Sequence, residues 1–314
     1  MTTHHAEHRI TVDAPIERVY ALLADVTRWP QLFGPTVHAE HVERTDTNER
    51  IRLWATANDE VKTWTSRREL DAAKHRITFR QEVSQAPVAA MGGAWVLSAT
   101  DDGGTLVVLE HDFSAVGDTP DNVDWVTKAV DRNSTHELAN LKAIAENLAA
   151  TEELSITFHD VVDIAGDRAD VFAFLNESDK WPDRLPHVSR LELVEETPGL
   201  QVMEMDTKTA DGSTHTTKSV RVCVPDSTIV YKQLKVPALM TVHTGRWTLA
   251  EHDGGVRATS THTVVIKPDA VVSILGEGKT VEDAKAFVRK ALGTNSTTTL
   301  RHAKEYAEAL RAGR

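Results

Sequence analysis

Trp64, Ser66 and Arg68 are the residues of this 314-residue chain whose types and spacing best suit chemistry. They alternate along a stretch that favours a β-strand, so all three side chains should point to one face of a sheet. An arginine on the same face as a tryptophan indicates a lined cavity, because a buried charge needs a partner or a ligand. There, a fixed guanidinium and a hydroxyl would stabilise negative charge developing on a carbonyl oxygen, by about 3–4 kcal/mol per preorganised donor. The alternative is an exposed Arg67-Arg68 pair on a solvated strand.

The sequence contains two copies of one pattern, so each candidate site has to be sought twice. Trp29-Pro30 returns as Trp181-Pro182 at a shift of 152 residues, and Asn133-Ser134 returns as Asn295-Ser296 at a shift of 162. A repeat this long, with its elements in the same order, indicates two tandem domains rather than a short-period solenoid. A length of 314 residues also suits two domains. We expect the domains to be residues 1–150 and 151–314, joined by a linker over Glu146–Ser155.

The second Ser-x-Arg pattern depends on how the two copies are aligned. A shift of 152 brings Val220 to the place of Arg68, whereas a shift of 153 brings Arg221 there and Ser219 to the place of Ser66. A one-residue slip turns every side chain to the other face, so this choice decides whether the second cavity holds an arginine. We favour 153, and the tryptophan is missing in either case. The two cavities should therefore differ in chemistry, unless one copy only braces the other.

Three histidines are candidates for proton transfer. His111 lies near the end of a predicted strand, and His262 is its counterpart at a shift of 151. A histidine there can act as an acid or a base near neutral pH, although a structural histidine bonded to the backbone is the alternative. His243 has no histidine counterpart, since Met91 stands at its place in the first copy.

Six strands and a long helix are predicted in each copy. A short helix should follow the first strand, and Trp-Pro should close it, because the residue before proline disfavours the helical basin. The strands predicted in the first copy are His8–Val12, Arg50–Ala57, Glu60–Leu70, Arg76–Glu82, Ala94–Ala99 and Thr105–Phe113. Those of the second are Ile156–Val162, Gln201–Thr209, Ser213–Val224, Thr228–Val236, Gly245–Ala250 and Val256–Ile266, with turns such as Ala210-Asp211-Gly212.

The long helices follow from apolar residues at helical spacing. One stripe is Val123, Val126, Val130, Ser134, Leu138, Leu141, Ala145 and Leu148; a looser one is Val281, Ala284, Phe287 or Val288, Ala291, Asn295, Leu300, Ala303 and Ala307. Asn133 and Ser134 should face inward, either to bond a substrate or only to cap the contact with the sheet. The layout is α+β, and a curved antiparallel sheet wrapped around a long C-terminal helix would enclose an internal cavity for a small ligand.

Composition excludes several classes of function. The net charge is −12 and no basic stripe is present, so we expect no nucleic-acid partner and no anionic membrane partner. Cys223 is the only cysteine, so neither an intramolecular disulfide nor a thiolate metal site is possible. His4-His5 is only a tail pair, so no metal-ligand cluster is present, nor is a phosphate loop or a dinucleotide fingerprint, and we expect no metal and no cofactor. The polar N-terminus and the absence of a long apolar stretch predict a soluble cytoplasmic protein.

An ordered set of motifs, in two tandem copies, carries a resemblance that covers nearly the whole chain. In the first half these are residues 25–30, 33–38, 64–68, 79–82, 91–95 and 131–134, and in the second half residues 211–217, 219–221, 243–247 and 293–296. With them the chain resembles the di-domain aromatase/cyclases of bacterial type II polyketide synthases, which have tandem START-like helix-grip domains.

The resemblance implies an enzyme that acts on a poly-β-ketone tethered to an acyl carrier protein. Such enzymes close or aromatise the first ring, typically in the C7–C12 pattern; one subgroup takes unreduced chains and another dehydrates a ring that a ketoreductase has reduced. The carrier protein and other synthase components would be the partners of a monomer, and an acidic carrier would meet a basic rim. The rim candidates are Arg28, Arg67, Lys180 and Arg184.

Site residues follow from the resemblance and from the repeat. We expect Arg68, Ser66, His111, Ser219, Arg221 and His243 to be catalytic. We expect Trp29, Trp64, Gln81, Met91, Trp95, Asn133, Trp181, Trp247 and His262 to contact substrate, although Trp29 and Trp95 are explained as well by core packing. The alternative function is a non-catalytic binding protein or chaperone for a polyketide or another hydrophobic ligand, since fold does not imply function. A buried arginine would argue against it, because a pure carrier has little use for one.

Overall fold

The computed structural model describes residues 2–57, 60–208, 212 and 214–314. The chain divides into two compact units, Met1–Ala150 and Thr151–Arg314. The first unit contains, in chain order, β1 (His4–Val12), α1 (Ile16–Ala24), α2 (Trp29–Leu32), β2 (Thr36–Arg44), β3 (Asn48–Ala57), β4 (Glu60–Asp71), β5 (Arg76–Gln81), β6 (Val88–Ala99), β7 (Thr105–Ala115) and α3 (Pro120–Glu146). Its seven strands form one antiparallel sheet in the order β1-β7-β6-β5-β4-β3-β2.

The second unit repeats this arrangement after the short helix α4 (Leu148–Glu153), which occupies most of the predicted linker. Its elements are β8 (Ser155–Ile164), α5 (Arg168–Asn176), α6 (Trp181–Arg184), β9 (Val188–Thr197), β10 (Leu200–Lys208), β11 (Thr214–Val224), β12 (Thr228–Lys235), β13 (Met240–His252), β14 (Gly255–Ile266), α7 (Val271–Leu275) and α8 (Val281–Ala312). The strand order is β8-β14-β13-β12-β11-β10-β9, again with seven strands.

Each sheet has one strand more than the six predicted. The additional strands, β2 and β9, lie at one edge of their sheets and carry mostly charged residues toward their ends. Edge strands use such charges to discourage pairing with other chains, so the alternation of apolar residues that marks an inner strand is weak.

Several predicted strand limits were too short. β6 and β13 begin at Val88 and Met240, well before the predicted Ala94 and Gly245, because the glycines near these points lower the apparent strand propensity. β1 likewise begins at His4 rather than His8, and β8 extends to Ile164. The predicted strand ends Thr209 and Ser213, and residues 210–211 of the predicted turn, lie outside the described residues.

The Trp-Pro pairs open a short helix instead of closing one, so that prediction was wrong. Trp29 has φ −56° and ψ −37°, and Trp181 has φ −63° and ψ −34°, all in the helical basin. Each tryptophan begins a single-turn helix, α2 or α6, with proline in its first turn. Proline fits there because the N–H that it lacks would have no helical partner in that turn.

The long helices pack by the stripes that their spacing predicts, with one shift in the second. α3 buries Val126, Val130, Ser134, Leu138, Leu141 and Ala145. α8 buries Val288 and leaves Phe287 52% exposed, and its inner face continues with Gly293 and Ser296 rather than with Ala291 and Asn295. This inner face consists largely of small residues, so the large apolar side chain of Phe287 does not indicate where it lies.

Each unit has its own apolar core between the sheet and its helices. In the first unit, Leu22 and Leu23 of α1 and Leu138 and Leu141 of α3 join Trp95 of β6 in one cluster. In the second, residues of α5, β13 and α8 form the corresponding cluster. The prediction of two tandem α+β helix-grip domains is confirmed. Among the described residues, no helix has the length and apolar character needed to cross a bilayer.

Candidate active site

The Ser-x-Arg strand β4 places its two candidate residues on the inner side of the first sheet. Ser66 and Arg68 are buried, whereas Arg67 and Glu69 on the opposite face are exposed. Ser66 Oγ donates to the carbonyl oxygen of Arg80 on the next strand at 3.1 Å. The alternative of an exposed arginine pair does not hold, because only Arg67 reaches solvent.

Arg68 is a buried cation with a helix carbonyl and a carboxylate beside it. Its Nη2 donates to the carbonyl oxygen of Leu23 at the end of α1 at 2.6 Å, and its guanidinium lies 5.2 Å from the Trp29 ring centre. A cation at this end of a helix faces the negative pole of the helix dipole. Nη1 lies 2.9 Å from Oε1 of Glu49, which is itself 1% exposed at its side chain and contacts His41 at 2.9 Å. The charge of Arg68 is therefore balanced by a buried carboxylate.

Arg221 takes the same place in the second domain and settles the register. Ser66 pairs with Ile51 and Ser219 with Met203, so the observed shift along the Ser-x-Arg strand is 153. Nη2 of Arg221 donates to the carbonyl oxygen of Leu175 at the end of α5 at 2.5 Å, and its guanidinium lies 5.1 Å from the Trp181 ring centre. Both domains thus use an arginine to tie the first helix to the sheet.

The two arginines differ in their charge balance. Gln201 pairs with Arg221 across the strands, where Glu49 pairs with Arg68 in the first domain. Its amide nitrogen donates to Glu195 at 2.7 Å and to the carbonyl oxygen of Asn176 at 3.1 Å. Among the described residues, no acidic side chain forms an ion pair with Arg221, which is 1% exposed. Within the described part of the second domain, the buried charge of Arg221 therefore has no carboxylate in direct contact, and only one carboxylate, that of Glu195, acts on it from a distance.

Burial lowers the pKa of both guanidinium groups, because the charged form loses its hydration. The pKa of Arg68 falls to about 10, with the charge of Glu49 acting in the opposite direction. The pKa of Arg221 is also lowered, mainly by desolvation. Both groups remain cations at neutral pH.

A hydrogen-bonded group of four polar side chains lies on the inner side of the second sheet. Nδ1 of His262 lies 3.2 Å from the Tyr231 hydroxyl and 3.0 Å from Nε2 of His243, and its Nε2 lies 3.1 Å from the Ser260 hydroxyl. His243, His262 and Ser260 are 2%, 3% and 0% exposed. We call Tyr231, His243, Ser260 and His262 the histidine cluster. Arg221 pairs directly with Tyr231 across β11 and β12, so the buried cation adjoins it.

Gly245 allows Tyr231 to reach the histidine on the far strand. Tyr231 pairs with Gly245, and Gly245 pairs with His262 on β14. A Cβ atom on Gly245 would lie 2.1 Å from Cζ and 2.2 Å from the hydroxyl oxygen of Tyr231, so the ring lies directly on the glycine backbone. The strand thus needs glycine here to leave room for the ring that crosses it.

We expect Gly245→Ala to displace Tyr231 from His262 and to lower the free energy of unfolding by about 1–3 kcal/mol, as overpacking does. Chemical denaturation of the two proteins measures the difference. Gly34→Ala is the control, because no atom lies within 4 Å of a Cβ atom placed there. Equal stability of Gly245→Ala and the wild type would contradict the described position of the ring.

The first domain has the same frame with apolar side chains. Phe79, Met91 and Leu109 stand where the second domain has Tyr231, His243 and Ser260. Phe79 packs edge-on against His111 at 5.5 Å between ring centres, and Nδ1 of His111 lies 3.5 Å from the Ser134 hydroxyl, at the limit of a hydrogen bond. The two domains therefore differ in the side chains at these positions, and the difference in chemistry stays a prediction.

Burial holds these histidines neutral. Desolvation, with the charge of His262 in the same direction, lowers the pKa of His243 to about 3. Desolvation also lowers the pKa of His262 to about 4, opposed by Asp160, and that of His111 to about 4, assisted by His8. All three imidazoles are therefore neutral at pH 7. In each ring, one nitrogen is a hydrogen-bond donor and the other is an acceptor.

We expect the second domain to lose stability as the pH falls from about 6.5 to about 4. The unfolded chain protonates its histidines near pH 6.5, whereas folded His243 and His262 stay neutral until about pH 3 and 4. In that window the unfolded state binds more protons, so each histidine costs about 1.4 kcal/mol of stability per pH unit. Urea unfolding at pH 7 and pH 5 measures the effect. His243→Met should be less sensitive to acid, and equal sensitivity would contradict the assignment.

Glu137 of α3 is a candidate that the sequence did not indicate. Asp131 and Lys142 on one flank of the helix bond to His8 and the Thr11 carbonyl oxygen of β1. By helical spacing, Glu137 lies on the opposite flank, toward the middle of the sheet. Burial raises its pKa to about 7, so its carboxyl group would titrate near neutral pH.

Apart from His262, which belongs to the histidine cluster, the predicted substrate contacts fall into three groups. Trp95, Trp181 and Trp247 are packed in the apolar cores, and Trp29 packs there beside Arg68. Trp64, Gln81 and Met91 are half-buried, and Trp64 packs against the cluster around Ile51. Asn133 is exposed, so the expectation that it faces inward was wrong, whereas Ser134 is buried as predicted. One helical step of about 100° separates the two residues.

An open pocket of about 820 Å³ lies against the first sheet. Arg68, Phe79 and His111 belong to its lining, but most of the lining consists of outward-facing polar and charged residues such as Arg67 and Arg80. It is a depression on the outer side of the sheet, and the enclosed cavity between sheet and helix stays a prediction. Among the described residues, no group of histidine, cysteine and acidic side chains has the arrangement of a metal site.

Most of the predicted basic rim is paired with acidic residues. Arg67 contacts Glu82 at 2.8 Å, and Lys180 and Arg184 contact Glu177 at 2.8 Å and 2.9 Å. Docking of an acidic partner at these positions would have to compete with those pairs, which on a surface contribute about 0–1 kcal/mol each.

The chain thus consists of two consecutive helix-grip domains. Each buries a Ser-x-Arg pair, but the other polar side chains in their interiors differ. The family described as polyketide cyclase/dehydrase and lipid transport matches residues 3–146, and a second family of the same description matches residues 164–289. The chain belongs to this polyketide cyclase/dehydrase family.

Relatives align over nearly the whole chain. It is 44% identical to the granaticin polyketide synthase bifunctional cyclase/dehydratase of Streptomyces violaceoruber, over 98% of this chain and 95% of that protein. It is 47% identical to the actinorhodin polyketide synthase bifunctional cyclase/dehydratase of Streptomyces coelicolor, over 96% of each. The crystal structure of the di-domain aromatase/cyclase BexL, from the BE-7585A biosynthetic pathway, matches 97% of this chain and 99% of that one with a TM-score of 0.90 and 51% identity.

Proposed function

We propose that this protein closes the first ring of a carrier-protein-bound poly-β-ketone, in the C7–C12 pattern, and dehydrates that ring toward the aromatic product. Aldol closure and loss of water need polarised carbonyls and proton transfer, which side chains can supply without a cofactor. Two relatives are named bifunctional cyclase/dehydratases, which supports both steps. The enzyme would work in the cytoplasm as a monomer beside the other components of a type II polyketide synthase.

The buried charge of Arg221 is the observation that carries this proposal. In an aldol closure, negative charge develops on the oxygen of the attacked ketone, and a fixed cation without a carboxylate partner stabilises it. Arg221 has this character, and Ser219 lies two residues before it on the same face. Arg68 is balanced by Glu49, and Ser66 donates to a backbone carbonyl, so these two residues would shape the first cavity more than polarise a ketone.

A non-catalytic carrier is the weaker alternative. Both arginines face inward, and the second domain adds a phenol and two imidazoles to its interior. Burying such groups costs free energy, and a carrier for a hydrophobic ligand would bind it equally well with apolar side chains there. The interior is better suited to chemistry than to storage.

Product analysis tests the proposal. A minimal polyketide synthase is supplied with this protein, with and without a cognate ketoreductase, and the first-ring product is identified by mass spectrometry. A change in product without the ketoreductase would show a cyclase for unreduced chains, and a change only with it would show an aromatase for a reduced ring. Unchanged products in both arms would refute the proposed function and favour the carrier.

A further inference from the structure

The contacts of the histidine cluster are compatible with a proton arrangement that leaves one buried acceptor free. Nδ1 of His262 faces two groups able to donate, the Tyr231 hydroxyl and Nε2 of His243. In this arrangement the proton of His262 lies on Nε2 and is directed to Ser260, and Nδ1 of His262 accepts from Nε2 of His243. His243 then carries its own proton on Nε2. Its other nitrogen, Nδ1, is left as an acceptor.

This Nδ1 atom is buried and has no hydrogen-bond partner among the described residues. Oε1 of Gln233 is a second buried acceptor of this kind, and Gln233 lies two residues after Tyr231 on the same face of β12. Buried polar atoms are nearly always paired, so two unpaired acceptors on neighbouring strands point to a ligand that supplies donors. The hydroxyl groups of a partly cyclised polyketide have that chemistry.

Phe158, with Arg289 and Asp160 behind it, holds His262 in place. Phe158 stacks on it at 5.0 Å between ring centres, and the Arg289 guanidinium lies 4.4 Å from the Phe158 ring centre. Arg289 is fixed in turn by Asp160, with N–O distances of 2.7 Å and 3.1 Å. The imidazole is thus held at the point where Tyr231 and His243 meet.

We propose that the histidine cluster is the acid–base site for the loss of water, with His243 as the base and Tyr231 as the acid, so that dehydration belongs to the second domain. This inference rests on the proposed function and assigns one of its two steps. The first domain has Phe79, Met91 and Leu109 at the matching positions, and none of these side chains transfers protons.

The step balances within the cluster. Nδ1 of His243 takes the proton from the carbon next to the ketone, and the electron pair of that C–H bond forms the new C=C bond. The C–O bond to the neighbouring hydroxyl breaks, and the hydroxyl leaves as water with the proton of Tyr231. The Nε2 proton of His243 passes to Nδ1 of His262 and on to the Tyr231 oxygen, which restores the phenol. His243 then holds the substrate proton on Nδ1, and exchange with water as the product leaves returns it to the starting tautomer. Arg221, beside Tyr231, stabilises the transient phenolate.

The test exchanges cluster residues for those of the first domain. Tyr231→Phe and His243→Met, singly and together, reproduce Phe79 and Met91, which the same frame already accommodates. Each variant is given the carrier-bound substrate, and the ratio of hydrated to dehydrated first-ring product is followed over time. Far-ultraviolet circular dichroism and thermal unfolding establish that the variants are folded.

We expect ring closure to continue while the dehydration rate falls by about 10²–10⁴-fold, so that the hydrated ring accumulates. The double variant should be little slower than either single one, because the residues act as one chain of transfers. Dehydration at the wild-type rate would overturn the assignment, as would an equal loss of ring closure and dehydration. Absence of any ring with the wild-type protein would instead refute the proposed function itself.

Discussion

Replacing Arg221 by methionine should lower the rate of first-ring formation by about 10²–10³-fold, the loss expected when one preorganised donor to a developing oxyanion is removed. Methionine keeps a long side chain that can pack against Trp181 and Met203. The reason for the loss is electrostatic, because Arg221 is a buried cation that has no carboxylate in direct contact among the described residues. Initial rates of product formation measure it.

Arg221→Lys is the matched variant. It keeps the charge but changes the shape of the cation, so it should retain more activity than Arg221→Met. Arg68→Met should lose less activity than Arg221→Met, since Glu49 already balances Arg68. Equal losses for the two methionine variants would show that these arginines act only by tying the first helix to the sheet.

Replacing Glu49 by glutamine should destabilise the first domain by about 3–5 kcal/mol, because it leaves the charge of buried Arg68 without its partner. Glutamine is also the residue that the second domain has at this place, so the side chain fits the frame. Hydrogen exchange resolved by peptide measures the effect on the strands of the first domain, independently of unfolding in the second.

The control for this prediction is Gln201→Leu, which removes no charge and should cost the second domain less. Glu49→Gln should also weaken the contact of His41, which meets the same carboxylate at 2.9 Å. Unchanged protection of β3 and β4 in the Glu49→Gln protein would show that Arg68 does not depend on the carboxylate.

The fold and the Ser-x-Arg face could be predicted because both rest on local periodicity. Alternation along β4 correctly places Ser66 and Arg68 inward, and the preference for the pair Ser219 and Arg221 correctly selects the shift of 153. Edge strands β2 and β9 could not be predicted this way, because their charges hide the alternation.

The electrostatic difference between the domains could not be predicted, although its residues are visible in the sequence. Glu49 and Gln201 are separated by the shift of 152, but their importance depends on the strand pairing that sets them opposite Arg68 and Arg221. The contact of Tyr231 with His262 spans 31 residues and crosses a third strand over Gly245. Such contacts depend on sheet order and register, which local patterns do not encode.

The intact mass of a loaded carrier protein tests the central claim most directly. A carrier bearing a poly-β-ketone, after ketoreduction where the pathway requires it, is mixed with the purified enzyme, and the carrier is weighed by mass spectrometry over time. We predict that the carrier keeps its chain and loses the mass of one water molecule for each dehydration, at a rate that falls in the His243→Met protein. A carrier whose mass stays unchanged, or that loses its whole chain, would contradict the account.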